Sequence, residues 1–129
     1  MVLDTSALLA VLLDEPEAGA FRLAVEEDPV RLVSAATVLE TAIVIEARKG
    51  EAGGRELDLL LRTASVEIVS VDAGQVAEAR RAWRRFGKRR RAAGLNYGDC
   101  FAYALARSSG EPLLYKGEDF ERTDVRRVP

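Results

Sequence analysis

The sequence predicts an α/β/α sandwich on a central parallel sheet of four to five strands. Three observations carry that expectation. Short apolar runs rich in Val, Ile and Leu alternate with segments whose apolar residues recur at helical spacing. An alternating strand–helix order sets strands side by side in parallel and lays helices on both faces. The chain has 129 residues, enough for one core, and no internal repeat or low-complexity linker marks a boundary, so a single domain over 1–129 is expected.

Taken in order, "MVLD" is a short apolar run ending in a carboxylate and reads as the first strand. "TSALLAVLLDE" has helical spacing, and Pro16 opens "EAGAFRLAVEED" as a second helix, because proline fits a first helical turn. "VRLVSA" is the second strand. "TVLETAIVIEARKG" is a helix closing on basic residues and Gly50, and "GRELDLLLRTA" is another. "VEIVSV" is the third strand, after which Asp72 caps "AGQVAEARRAWRRFG". A basic loop leads to an apolar helix over 98–108, then "EPLLYKG" as the fourth strand, with "DVRRVP" as a short fifth.

Composition removes several function classes. With 48% hydrophobic and 31% charged residues the chain is of globular type. It has no run of about eighteen apolar residues, so no membrane span is expected. The apolar start lacks a basic leader and is broken by Asp4 and Asp14, unlike a signal peptide. One cysteine, Cys100, makes no internal disulfide, and a cytoplasmic location is expected. With no histidine, zinc sites of the Cys/His type and Ser-His or Cys-His nucleophile pairs are excluded.

Four acids stand where function gathers in such sheets, at the carboxyl ends of strands and the N-termini of helices. Asp4 ends the first strand, Glu40 lies early in the helix after the second, Asp99 begins the apolar helix "LNYGDCFAYALA", and Asp119 follows the fourth strand. Each has a simpler reading. Asp4 suits a cap, Thr37 with Glu40 and Asn96 with Asp99 suit capping boxes, and Asp119 suits an ordinary turn. Together they suggest more. Clustered carboxylates without histidine or lysine require a hard cation, and oxygen-only ligands select Mg²⁺ or Mn²⁺. Such a site activates water and stabilises charge on a transferring phosphoryl group.

The stretches "VLDTSALLAVLLDEP", "SAATVLETAIV", "LNYGDCFAYALA" and "LLYKGEDFERTDV", in this order, resemble the PIN domain, and most nearly the VapC toxins of bacterial toxin–antitoxin pairs. The resemblance covers nearly the whole chain. It implies a Mg²⁺- or Mn²⁺-dependent endoribonuclease, with catalytic acids at Asp4, Glu40, Asp99 and Asp119. Metal ligation falls to Asp4, Asp99 and Asp119, with Glu118 and Asp124 as neighbouring candidates for the fourth acid. Ser6 and Thr123 match supporting hydroxyls. The resemblance further implies a homodimer, and a VapB-like antitoxin that binds through a groove of the early apolar helices and lays its C-terminal segment over the acidic site.

The basic segment "RRAWRRFGKRRR" holds a large share of the 19 cations of a chain whose net charge is −2. One reading gives Arg84, Arg85, Arg89 and Arg90 to RNA phosphates beside the metal site. The other is a solvated helix face. Trp83 and Phe86 suit base stacking, although their helical spacing favours packing. Cys100 reads as a small buried apolar residue. The other classes weighed are a non-cleaving PIN-like binding module and phosphotransfer domains. Haloacid-dehalogenase-type phosphatases need D-x-D where this chain has Asp4-Thr5-Ser6, and receiver domains need an acidic pair at the first strand.

Overall fold

The computed structural model describes residues 1–88 and 94–129. Four strands, β1 (Val2–Leu3), β2 (Leu32–Ser34), β3 (Glu67–Val69) and β4 (Leu113–Leu114), form one parallel sheet in the order β3-β2-β1-β4. Helices α1 (Thr5–Leu12) and α2 (Ala18–Glu27) connect β1 to β2, α3 (Ala35–Lys49) and α4 (Glu51–Thr63) connect β2 to β3, and α5 (Ala73–Phe86) and α6 (Tyr97–Ser109) connect β3 to β4. The expected fifth strand is a single parallel bridge from Leu113 to Arg127. Arg126 and Arg127 are exposed there, and Arg127 pairs with Glu121 and lies over the Tyr115 ring.

The period-two alternation of a strand divides the core. Val2 and Leu113 face a cluster containing Ala82, Phe86, Tyr103 and Leu105, from α5 and α6, with Leu95 from the segment before α6. Their neighbours Leu3 and Leu114 face the opposite cluster of Ala7, Leu8, Ile45, Leu57 and Leu61, from α1, α3 and α4. Every residue of these two-residue strands is therefore buried, and the sandwich follows.

Helix boundaries follow local chemistry. Asp72 caps α5 by accepting from Gln75 N at 2.8 Å. Gly50 adopts φ +65°, which only glycine takes without strain, and turns the chain from α3 into α4. Ser34, not Thr37, caps α3 through the Ala36 amide, so the helix begins three residues earlier than a Thr37–Glu40 box requires. Glu40 thus lies inside the helix, and its side chain is spared for another use.

Sheet order decides where a cleft opens. From β1 the chain moves one way to β2 and β3, then returns to lay β4 on the other side of β1. The carboxyl ends of β1 and β4 flank that reversal, the usual ligand position in open α/β sheets. Among the described residues no helix is long and apolar enough to cross a membrane.

Candidate active site

Asp4 leaves β1 and caps α1. Its backbone N–H donates to Leu114 O at 3.0 Å, tying it to β4. Its Oδ2 accepts from Ser6 N at 3.0 Å and from Ser6 Oγ at 2.6 Å. Ser6 Oγ in turn accepts from Lys116 N at 2.9 Å, so the hydroxyl's one proton is committed to Asp4. Asp4 is only 3% exposed. Burial pushes its carboxyl up to about 6 against the Ser6 hydrogen bonds, with a further push from Glu40.

Asp99 is buried in the first turn of α6 and forms the expected capping box with Asn96. Asp99 Oδ2 accepts from Asn96 N at 2.9 Å, and Asn96 Oδ1 accepts from Asp99 N at 2.9 Å. A backbone amide is thus the partner that the buried carboxylate requires, and it occupies one oxygen. Burial raises the Asp99 carboxyl to about 7, opposed by the Asn96 amide and reinforced by the charges of Asp4 and Asp119.

Glu40 reaches this group from α3. Its Oε1 accepts a hydrogen bond from Thr5 Oγ1, and its carboxylate lies directly over Gly98, where a Cβ would overlap it. Asp119 is half-buried on the loop after β4. Its neighbour Phe120 is buried against Tyr115, ring centroids 5.0 Å apart, and anchors the loop so that the Asp119 charge acts on Asp99.

All four acids are therefore brought together, from β1, α3, α6 and the β4 loop. The two competitors for the fourth position stand apart. Glu118 is exposed. Asp124 accepts from the Tyr103 hydroxyl at 2.6 Å and pairs with Arg85 and Arg107, each at 3.6 Å, which holds its pKa below the usual carboxylate range. Thr123 does not join the acids. Its hydroxyl donates to Phe120 O at 2.7 Å and closes the turn behind Asp119. Lys116 sits at the rim, its ammonium held by Glu15 and, at 3.1 Å, by Glu17.

A family profile described as "PIN domain" matches residues 1–126. A protein named Ribonuclease VapC from Mycolicibacterium smegmatis is 64% identical over 128 residues, spanning 99% of both chains. The chain belongs to the VapC ribonucleases of the PIN-domain family. Ribonuclease VapC30 of Mycobacterium tuberculosis is 62% identical over 99% of this chain and 98% of its own. Among solved structures, Mycobacterium tuberculosis VapC20, described as a sarcin-ricin loop cleaving toxin, superposes with a TM-score of 0.77 at 22% identity over 98% of this chain and 97% of that one. VapBC2 from Rickettsia felis, bound to a promoter DNA fragment, does so with a TM-score of 0.75 at 14% identity, covering 99% and 96%. At those identities the superpositions speak for the fold.

The donors of this VapC site fit a hard divalent cation in kind. They are oxygens only, and the two most buried have pKa values raised by their confinement together. They adjoin pairwise, Asp4 with Glu40 and Asp99 with Asp4 and Asp119. Among the described residues no three of them stand close enough together, as the side chains lie, to hold a metal ion.

The basic segment is only partly in view. Arg84 and Arg85 lie in the last turn of α5, and Arg85 packs over the Phe86 ring at 4.7 Å. Arg89 and Arg90 lie outside the described residues. Phe86 is buried against Tyr103 and is closed to base stacking, whereas Trp83 is 39% exposed. Cys100 is buried as expected, its thiol pushed up to about 11 by burial and by Asp99. Sequence reasoning missed Thr5 and Gly98. A glycine in the first turn of an otherwise apolar helix is the signal that points to Gly98, since it marks a close approach.

The raised carboxyls set the pH response of the metal-free protein. A folded-state pKa above the unfolded value near 3.8 adds stability that is fully present below that value and is lost as pH rises through 6 to 7. Asp99→Asn removes the Asp99 share of that loss and leaves that of Asp4. Melting in EDTA across this range should show the variant gaining on the wild type by several degrees as pH rises. A difference that stays constant or shrinks would contradict the assignment.

Proposed function

We propose that this VapC ribonuclease is the toxin of a type II toxin–antitoxin pair, a Mg²⁺- or Mn²⁺-dependent endoribonuclease that hydrolyses RNA phosphodiesters by direct attack of water. The observation that carries this reading is the convergence of Asp4, Glu40, Asp99 and Asp119 at the β1–β4 reversal. Mg²⁺ or Mn²⁺ held by Asp4, Asp99 and Asp119 would lower the pKa of a water and neutralise charge on the phosphoryl group. Asp4 and Asp99 each spend one oxygen on a backbone amide, at 3.0 and 2.9 Å, which fixes the direction of the other. Ser6, gripped by Lys116 N, stops Asp4 from turning. Glu40, held by Thr5, orients the attacking water. No side chain is needed as a nucleophile.

RNA phosphates approach along Arg84, Arg85, Arg89 and Arg90. Replacing these four by Gln should weaken RNA binding and flatten the dependence of log K on log salt by about 0.7 for each phosphate that is no longer neutralised. An unchanged slope returns the segment to a solvated face. A groove of about 290 Å³ lined by Leu8, Val11, Val25 and Leu60, with Arg22 and Arg31 at its rim, suits an apolar segment of a VapB-like antitoxin. A second copy suits the exposed side of α5 and α6, where Val76, Trp83 and Tyr97 surround a depression of about 570 Å³; Arg84 also lines it, so there the dimer and RNA would compete for that residue.

The test is incubation with total RNA and Mn²⁺, with new 5′ ends mapped and EDTA as control. Discrete metal-dependent cuts are expected. RNA binding without cuts would favour a non-cleaving PIN-like module.

A further inference from the structure

We propose that Thr5 is a positioning residue for Glu40, its hydroxyl acting with the bare backbone of Gly98 to fix the carboxylate that faces the cleft. The inference rests on the ribonuclease reading of the acid site.

Thr5 is the first residue of α1 and follows Asp4 directly. Its Oγ1 donates to Glu40 Oε1, across 35 residues of sequence. The direction of that bond is settled by its surroundings. Thr41 Oγ1 stands 3.5 Å from Thr5 Oγ1, but the Thr41 proton serves the nearer Thr37 carbonyl at 2.8 Å. The Thr5 proton is therefore the one given to Glu40, and a carboxylate is its proper acceptor.

The other side of Glu40 is set by α6. Its Oε2 lies over Gly98, the residue before Asp99, at a separation that admits no Cβ. Glu40 is thus held from α1 at one oxygen and seated on α6 at the other, while its own backbone belongs to α3. The N-termini of α1 and α6 both face it, and their partial positive charge suits a carboxylate crowded by Asp4. Glutamate has three rotatable side-chain bonds, and these two contacts act on both of its carboxylate oxygens.

The experiment compares Thr5→Val, which keeps the shape and loses the hydroxyl, with Thr5→Ser, which keeps the hydroxyl. Steady-state cleavage of a short RNA is measured in Mn²⁺, with Mn²⁺ affinity from calorimetry. Thr5→Val should lower kcat about 10-fold, the cost of a displaced catalytic group, and leave KM and Mn²⁺ affinity nearly unchanged. Thr5→Ser should restore most of the loss. In a Glu40→Gln background Thr5→Val should have little further effect on kcat.

A separate double-mutant cycle of Thr5→Val and Glu40→Ala, read as melting temperature in EDTA, should be non-additive. Unchanged kcat in Thr5→Val, equal losses in the Val and Ser variants, or an additive cycle would overturn the proposal. Absence of cleavage by the wild type would remove the ribonuclease reading instead, and the EDTA cycle would still decide whether Thr5 holds Glu40.

Discussion

Asp99→Asn is expected to lower RNA cleavage by on the order of 10²-fold or more while leaving the metal-free fold as stable as the wild type or more so. The two halves of this expectation have one cause. Asp99 is only 7% exposed, and its carboxyl is raised to about 7 by burial, with Asp4 and Asp119 adding to the cost of its charge. Asparagine keeps the oxygen that accepts from Asn96 N and so keeps the cap of α6, but carries no charge to be confined. The site trades stability for function at this position. In the same variant combined with Asp4→Asn, the rise in melting temperature produced by Mg²⁺ or Mn²⁺ should vanish, because that rise is binding to the native state alone. An undiminished rise would place the ion elsewhere.

Gly98→Ala should displace the Glu40 carboxylate from its seat on α6. The new Cβ would overlap the Glu40 carboxylate, which Thr5 holds on its far side, so either Glu40 leaves its rotamer or α3 and α6 move apart. Helix propensity alone would favour alanine by about 1 kcal/mol, so a loss of stability isolates the collision. Activity should fall by about 10²-fold, as expected for a catalytic group displaced by about an ångström. Glu40→Ala added to Gly98→Ala should recover stability but not activity. Full activity in Gly98→Ala would remove Glu40 from the mechanism.

The acids are legible in the sequence because strand ends and helix starts can be read locally, and the topology of a parallel sheet brings those ends to one edge. Asp4 and Asp99 show why the simpler readings do not compete with the functional one. Each caps a helix with one oxygen and leaves the other for the cleft. For Glu40 the simpler reading fails outright. The Thr37–Glu40 box does not exist, because β2 runs straight into α3 and Ser34 reaches the cap position first.

What the sequence does not supply is contact between distant segments. The Thr5–Glu40 bond and the seat on Gly98 depend on how closely α3 packs on α6. The choice of Asp119 over Asp124 depends on Tyr103, Arg85 and Arg107, which engage Asp124 from two helices. Phe86 and Trp83 differ by less than one helical turn, and which of them meets the core is settled by the packing of α5 on α6.

Direct attack of water on the phosphodiester, at the site built from Asp4, Glu40, Asp99 and Asp119, is tested most directly by the chemistry of the product ends. A short RNA carrying one 2′-deoxy nucleotide at the mapped cut, beside its all-ribose counterpart, is incubated with the protein and Mn²⁺, and the fragments are weighed by mass spectrometry. Direct hydrolysis predicts 5′-phosphate and 3′-hydroxyl ends from both substrates and no cleavage in EDTA. A 2′,3′-cyclic phosphate, failure to cut the deoxy-substituted substrate, or full activity in EDTA would contradict it.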